Sequence, residues 1–199
     1  MPNATPHDAA PRARGILLSA EMVRAVLAGR KTQTRRVIVP QPPAVGALPR
    51  GSAFAVAGRD YRSPYGVPGD RLYVRETWAP HPDGAHDGTI YRATDPGWDA
   101  EDCGVRWRPS IHMPRRLSRL TLRVTNIGVE RVQSISEADA RAEGCPPPDP
   151  GAFVAWKPVP WFRLVWDRLN AARGYGWDAN PWVWRLTFAV EAPADAPPE

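Results

Sequence analysis

One lysine stands out in a chain that otherwise relies on arginine for its basic side chains. The 199 residues contain 24 arginines and two lysines, Lys31 and Lys157. Lys31 lies in the segment GRKTQTRR at residues 29–36, where its basic neighbours are all arginines. An arginine keeps its proton inside a protein, whereas the amine of a lysine can be tuned to act as a base or a nucleophile. Lys31 is therefore a candidate for chemistry, and the simpler alternative is a solvated cation with no special role.

A carboxylate and a tryptophan close together in sequence are candidates for recognising a nucleic-acid base. Glu76 and Trp78 belong to the segment RETW at residues 75–78. A carboxylate among apolar neighbours can hydrogen-bond the edge of a base, and an indole ring can stack on its face. Trp78 is explained equally well as an aromatic side chain of the core.

Two strongly basic segments could face a polyanion. Residues 12–36 carry seven basic side chains and one acidic one, and residues 106–123 carry six arginines and no acidic side chain. Within the second segment, Arg108, Arg115 and Arg116 could hold phosphates of RNA or single-stranded nucleic acid. A solvated arginine-rich surface without a ligand is the alternative.

The sequence predicts neither a metal ion nor a cofactor. It contains no P-loop, no glycine-rich dinucleotide motif and no HExxH. Of the four histidines, only His112 lies in an ordered-looking segment, and a lone histidine is more often hydrogen-bonded than a ligand. The two cysteines, Cys103 and Cys145, cannot build a disulfide framework, although a single bridge between them stays open.

The composition is that of one folded domain. Hydrophobic residues make up 43% of the chain and charged residues 24%. No apolar run approaches the roughly 20 residues of a membrane span, and the first residues lack the apolar stretch of a signal peptide. We therefore expect a cytoplasmic protein without a membrane partner. The expected domain covers residues 15–190, with tails at 1–14 and 191–199 and proline-rich insertions at about 40–66, 79–110 and 146–160.

Two predicted helices flank the candidate lysine. Ser19 can cap a helix with apolar side chains at helical spacing, and Gly29 can end it. A second, short helix begins with a capping-box pattern at Ser136 and stops at Gly144. The chain between Lys31 and residue 39 is expected to be extended, so that the lysine lies at a junction between a helix and a strand.

The remaining elements are predicted strands that do not alternate with crossover helices. The clearest segments are RLYVRETW, LTLRVTNIGVERV and, near the end, WVWRLTFAV with large apolar side chains on one face. This order disfavours a doubly wound parallel sheet. It favours an α+β domain with a small, mostly antiparallel barrel or curled sheet and flanking helices.

Three segments in this order resemble the ASCH domain family, which has the PUA-like barrel fold. They are VLAGRKTQTRR at residues 26–36, VPGDRLYVRETW at 67–78 and SISEADARAEG at 134–144. The overall layout is most similar to the phage- and prophage-encoded branch of the family. The resemblance covers most of residues 15–190 and implies an α+β, PUA-like barrel.

Within this superfamily, the motif resembles that of small bacterial N4-acetylcytidine amidohydrolases. Their lysine, the threonine three residues later and the glutamate on a short helix match Lys31, Thr34 and Glu143. The resemblance implies that a lysine-activated Thr34 attacks an acyl group on the N4 nitrogen of cytidine or a related modified pyrimidine nucleoside. It also implies that Glu143 is the general acid and that Arg35 and Arg36 bind the substrate. The insertions and the residue after the glutamate, Gly144, depart from the family pattern.

The residue chemistry agrees with these roles, subject to one geometric condition. Burial and neighbouring arginines lower the pKa of a lysine, so Lys31 can become a base. The end of a helix disfavours a negative charge, which suits Glu143 as an acid. Residues three apart in a regular strand point to opposite faces, so Lys31 and Thr34 can meet only where a turn or bulge intervenes.

Other functions stay open at this stage. A PUA-like domain without catalysis could bind RNA or a modified base, using the two basic segments. An ASCH-type ribonuclease is a further alternative, although no pair of histidines or metal cluster is apparent. A role in phage assembly would follow only from the similarity to phage-encoded proteins.

Overall fold

The structure is a computed structural model that describes residues 13–43, 51–82, 88–99, 104–148 and 157–191. These residues form an α+β arrangement of mostly antiparallel strands. The helices are α1 (Ala20–Leu27), α2 (Glu137–Ala142) and α3 (Pro158–Asn170). The strands are β1 (Ala13–Leu17), β2 (Gln33–Val37), β3 (Ala53–Val56), β4 (Arg59–Arg62), β5 (Arg71–Arg75), β6 (Trp78–Pro80), β7 (Thr89–Tyr91), β8 (Thr121–Arg131) and β9 (Trp182–Glu191).

A five-stranded sheet organises the domain, in the order β1-β5-β8-β9-β2. Only β1 and β5 are parallel, and the other neighbours are antiparallel. The long strands β8 and β9 form a ribbon whose register shifts between Val124 and Asn126. A bulge of this kind bends and twists a strand pair, so the sheet curls around the core.

The closed barrel implied by the family resemblance is not found among the described residues. The strands β1 and β2 are the two edges of the sheet. They lie at different ends of the ribbon. The strand β1 is joined to it through β5, which pairs with residues 121–123 of β8, whereas β2 pairs with residues 183–187 of β9. A side chain links the edges instead: the guanidinium of Arg36 donates to the carbonyl of Leu17 at 2.7 Å.

The local signals of helices α1 and α2 are confirmed. The Ser19 hydroxyl accepts a hydrogen bond from the backbone N–H of Met22, and Gly29 follows α1 with a φ of +68°. Ser136 and Asp139 form the reciprocal capping box of α2. Neither these helices nor α3 is long and apolar enough to span a bilayer, within the part of the chain that the structure describes.

The first proline-rich insertion contributes to the core, which the sequence reading did not anticipate. Strands β3 and β4 form a hairpin within it, with Ala57 and Gly58 at positive φ in the turn. The rings of Phe54 and Tyr61 stack at 4.8 Å, and Phe54 also packs on Trp184 at 5.6 Å. A stacked aromatic pair buries enough apolar surface to hold a short hairpin against the sheet.

The apolar alternation of β9 is confirmed except at its end. Trp182, Trp184, Leu186 and Phe188 are buried in the core, whereas Val190 is 46% exposed. The strand therefore supplies one continuous row of large buried side chains next to β2 in the sheet. This row supports the strand that carries the candidate site.

Candidate active site

Backbone hydrogen bonds place Lys31 between α1, α2 and β9. The N–H groups of Arg30 and Lys31 both donate to the carbonyl of Ala25, at 2.9 and 3.0 Å, which turns the chain out of α1. The next residue, Thr32, donates to the carbonyl of Ala142 at 2.8 Å and accepts from Phe188 at 2.9 Å. The lysine thus lies where the end of α2 meets the start of β2.

Lys31 and Glu143 form a buried ion pair. The Lys31 ammonium donates to Glu143 Oε2 and to the Glu143 backbone carbonyl, both at 2.8 Å. Lys31 is 2% exposed and Glu143 is 4% exposed. Burial holds the pKa of Lys31 below its ordinary value of 10.5, against the opposing charge and hydrogen bond of Glu143, and the charges of Arg36 and Arg35 lower it further. The structure therefore brings two of the three predicted catalytic residues into contact.

Arg35 approaches the same carboxylate from the other side. Its Nη1 lies 3.1 Å from Glu143 Oε1, and its Nε donates to Glu130 Oε1 at 2.7 Å. Its Nη2 lies 3.4 Å from Asp139 Oδ2. The guanidinium is fully buried, so all of its charge faces protein groups. This arrangement differs from the substrate contact that the resemblance implies for Arg35.

Asp139 completes this cluster at the start of α2. Burial alone would raise the pKa of its carboxyl, but hydrogen bonds from Ser136 and Gln33 and the charge of Arg35 hold that pKa below its ordinary value. Asp139 therefore caps its helix as an anion, and its negative charge also faces Arg35.

Gly144 allows the end of α2 to approach Lys31. Its φ is +104°, in the region that favours glycine. A Cβ at this position would lie 2.9 Å from the Ala25 Cβ and 3.3 Å from the Lys31 Cβ. Its carbonyl accepts a hydrogen bond from the Arg30 guanidinium at 2.9 Å. The residue by which the chain departs from the family pattern thus serves the close packing of the site.

Thr34 is buried in the middle of β2, and its side chain shares no hydrogen bond with Lys31. It is 4% exposed and pairs with Leu186 of β9, whereas Arg35 pairs with Arg185. Since side chains alternate along a strand, Thr34 and Arg35 lie on opposite faces of the sheet. None of the described residues forms a hydrogen bond with the Thr34 hydroxyl.

Arg36 shares the face of Thr34, because the two residues are two positions apart in β2. One end of its guanidinium is used in the bond to Leu17. Its Nε is buried and has no hydrogen-bond partner among the described residues. Since the charge of Arg36 also acts on Lys31, the two side chains lie within electrostatic reach of each other.

The predicted base-recognition pair lies elsewhere in the molecule. Glu76 is buried and accepts two hydrogen bonds from Arg119, at 2.9 and 3.0 Å. The ring of Trp78 is buried, and the Arg108 guanidinium lies 4.9 Å from its centre. Its indole Nε1 has no partner in the described part of the chain. Both oxygens of Glu76 are therefore already occupied.

The three predicted phosphate contacts are all exposed. Besides Arg108, which stacks on Trp78, Arg115 lies 5.6 Å from the ring of Tyr73. Arg116 belongs to the same short 3-10 turn as Arg115. The segment thus presents arginines on aromatic supports at the surface.

A cavity of about 420 Å³ lies beside the end of α2. It is lined by Arg30, Arg141, Ala142, Cys145, Pro146, Pro147, Pro148 and Pro158. Cys145 is a free, buried cysteine, and burial raises the pKa of its thiol. Its notional disulfide partner, Cys103, lies outside the described residues. An apolar wall and a protonated thiol give this cavity little chemistry of its own.

The acidic partners of Arg35 were missed by sequence reasoning. Glu130 lies on β8 and Asp139 on α2, and neither residue stands near Arg35 in sequence. The available signal was an unusual number of acidic residues between positions 130 and 143 of a basic chain.

Across the described ranges, no group of three or more His, Cys, Asp or Glu residues could hold a metal ion. Comparison of the chain with protein-family models, with curated proteins and with solved structures finds no match.

Proposed function

We propose that the protein is an amidohydrolase that removes an acyl group from the N4 nitrogen of cytidine or a related modified pyrimidine nucleoside. The observation that carries this proposal is the buried contact between Lys31 and Glu143, in which a lysine of lowered pKa lies 2.8 Å from a carboxylate. A solvated surface lysine has neither property. A buried lysine whose pKa is lowered by burial, in contact with a buried carboxylate, is typical of sites that transfer protons.

Thr34 and Arg36 supply the other groups that such a reaction needs. The Thr34 hydroxyl is a weak nucleophile until a base removes its proton. The free Nε–H of Arg36 lies on the same face of β2. There it can donate to the oxygen of the acyl group as negative charge develops, which is the role of an oxyanion-binding donor.

The reaction has two stages, acylation of Thr34 and hydrolysis of the resulting ester. The Thr34 oxygen bonds to the acyl carbon as its proton passes to the neutral amine of Lys31. The carbon–nitrogen bond breaks, the exocyclic nitrogen takes a proton from the Lys31–Glu143 pair, and the acyl group remains on Thr34 as an ester. Water then attacks the ester with Lys31 again as the base. This second stage releases the carboxylic acid and restores the Thr34 hydroxyl.

The proton transfer requires the Lys31 amine to come within reach of the Thr34 hydroxyl when substrate binds. In the structure their side chains share no hydrogen bond, and strand alternation sets Thr34 on the face opposite Arg35. Hydrogen bonds of a catalytic site often form fully only in the complex with substrate. The long, unbranched lysine side chain is the part that can adjust, because it is anchored at Glu143 alone.

The two lysines of the chain provide a matched test. Purified protein is mixed with N4-acetylcytidine, and hydrolysis is followed by absorbance. We expect turnover by the wild type and by Lys157→Arg, because Lys157 is exposed, and at least a 100-fold loss in Lys31→Arg, since general base catalysis contributes about 100- to 10,000-fold. Lys31→Arg keeps the positive charge but replaces an amine that can lose its proton.

Two results would contradict the proposal. One is full activity of Lys31→Arg. The other is the absence of turnover by the wild type across several N4-acyl cytosines.

A nucleic-acid-binding function is the second candidate, favoured by the exposed arginines that lie on aromatic rings. The guanidinium of Arg108 lies over the ring of Trp78 and that of Arg115 over the ring of Tyr73, and both arginines are exposed to contact phosphates. The affinity of such a surface for a single-stranded oligonucleotide should fall steeply as salt rises, whereas hydrolysis of a nucleoside should barely respond. A steep salt dependence without any hydrolysis would favour binding over catalysis.

A further inference from the structure

The carboxylate of Glu143 is divided between two cations. Its Oε2 accepts from the Lys31 ammonium at 2.8 Å, and its Oε1 lies 3.1 Å from Arg35 Nη1. Each oxygen therefore has its own partner, and the plane of the carboxylate is fixed by both. A carboxylate with one cationic partner would be free to rotate and to place both oxygens near that partner.

Arg35 is itself held in place on three sides. Glu130 contacts its guanidinium at 2.7 Å, and Asp139 contacts it at 3.4 Å. Its guanidinium carbon lies 5.8 Å from the centre of the Phe162 ring on α3. Glu130 is also 3.7 Å from Arg185 of β9. The planar, five-donor guanidinium can satisfy several carboxylates at once, which a lysine in the same place cannot do.

The groups packed around the Arg35 guanidinium leave no room for a substrate beside it. Its side chain is fully buried, its Nε donates to Glu130 and its Nη1 to Glu143, and its Nη2 lies within ion-pair distance of Glu130 and Asp139. A substrate would have to displace one of these carboxylates. The role that remains for Arg35 acts through Glu143.

The charges around Lys31 show what that role is. Glu143 favours its ammonium form, whereas Arg35 and Arg36 on β2 disfavour it. Asp139 on α2 and Glu130 on β8 face Arg35, and Arg30 at the end of α1 is bound to the Gly144 carbonyl. Without Arg35, the full charge of Glu143 would act on Lys31, and one of the opposing cations would be lost. Both changes favour the protonated lysine.

We propose that Arg35 is a positioning residue that takes up one oxygen of Glu143, and so leaves Lys31 able to release its proton. The proposal rests on the proposed function in one respect, namely that the neutral amine of Lys31 acts as the base. It assigns Arg35 a role in the protein cluster in place of the substrate contact implied by the family resemblance.

The small number of lysines makes the proposal directly measurable. Protein labelled with 13C at lysine Cε gives two signals, from buried Lys31 and exposed Lys157. Each signal is followed by NMR as the pH is raised, in the wild type and in Arg35→Met. We expect the titration midpoint of Lys31 to rise by about one pH unit or more in the variant, the size of change that a nearby charge causes, while that of Lys157 stays unchanged.

Further variants keep the test possible if Arg35→Met does not fold. Arg35→Met leaves Glu130 and Asp139 without their buried cation, which can unfold the protein. The double variant Glu130→Gln, Asp139→Asn and the triple variant that adds Arg35→Met both remove those charges. Because the two differ only at Arg35, the Lys31 midpoint should be higher in the triple variant than in the double variant. Arg35→Lys retains a cation and should restore part of the wild-type midpoint.

The activity profile provides a second readout. In Arg35→Met, the pH at which kcat/KM reaches half of its maximum should move upward together with the Lys31 midpoint, which a merely structural role would not produce. The proposal is overturned by a Lys31 midpoint that is unchanged or lowered in folded Arg35→Met relative to the wild type, or in the triple variant relative to the double variant. Because the NMR titration uses no substrate, it tests Arg35 even if the protein does not hydrolyse N4-acylated cytosines.

Discussion

Two buried carboxylates of this molecule are paired in different ways. Glu76 receives two hydrogen bonds from a single arginine, Arg119, which is partly exposed and lies 4.0 Å from the centre of the Tyr91 ring. Glu143 is shared by two cations, Lys31 and Arg35, whose side chains are both almost completely buried. The first is a closed one-to-one pair, and the second is part of a network.

The difference lies in which partner can change its charge. An arginine stays protonated at any pH that the protein withstands, so the pair of Glu76 and Arg119 has a fixed charge. Burial disfavours the charged form of a lysine, so a buried lysine can lose its proton. We therefore interpret the Glu76 pair as a clamp that fixes β5 to the segment before β8, and the Glu143 network as the part of the molecule suited to proton transfer.

Removing each of the two carboxylates in turn should give the largest effect on stability, and the two losses should differ. Glu143→Ala leaves the Lys31 ammonium buried without its anion, whereas Arg35 keeps Glu130 and Asp139. We expect the free energy of unfolding to fall by about 3–5 kcal/mol. Glu76→Ala should cost less, about 1–3 kcal/mol, because the partly exposed Arg119 can turn towards water. Urea unfolding of both variants measures the difference. A larger loss for Glu76→Ala would refute the distinction between network and clamp.

A glycine substitution tests how tightly the network is packed. Gly144→Ala introduces a Cβ at positive φ within 2.9 Å of Ala25, and we expect a cost of about 2–4 kcal/mol from backbone strain and overpacking. Gly174→Ala is the matched control, since its φ is +80° but no atom lies within 4 Å of the added Cβ. The control should cost only about 1 kcal/mol. Equal losses in thermal or urea unfolding would show that close packing at Lys31 does not contribute.

The pH dependence of stability is the smallest of the expected effects. It distinguishes the network around Glu143 from the pair of Glu76 and Arg119. The pKa of Lys31 is lower in the folded protein than its ordinary value of 10.5, so the unfolded chain binds more protons between these two pKa values. Stability should therefore rise with pH across that window, by at most about 1.4 kcal/mol per pH unit.

Lys31→Met should remove this rise, and Arg119→Met should leave it intact. Urea unfolding at a series of pH values checks both variants. A wild-type stability that falls through this window would contradict the lowered pKa.

Local signals in the sequence predicted the parts of the site that are built locally. The cap at Ser19, the turn at Gly29 and the capping box at Ser136 each depend on residues within one helical turn. The contact between Lys31 and Glu143 joins residues that are far apart in sequence, through the backbone bonds of Thr32 to Ala142 and Phe188. Local signals therefore predict the two helix ends, and only the family resemblance linked the two residues.

The remaining features depend on how distant strands align. The contact between Arg35 and Glu130 requires both the order of β8, β9 and β2 and their exact register, and a shift by one residue would turn Arg35 to the opposite face. The same holds for the open edge between β1 and β2, since no local pattern fixes where the two strands end relative to each other. The hairpin β3–β4 was obscured by the prolines around it, although its turn residues were present.

The main-chain bond from Thr32 to the carbonyl of Ala142 has a consequence for how this chain can diverge. It joins the strand and the short helix without using the side chain of Lys31 or of Glu143. The two positions of the buried ion pair are thus substituents on a frame that the backbone maintains. A descendant that exchanged them for a neutral pair of similar size would keep its architecture and lose only its buried charges.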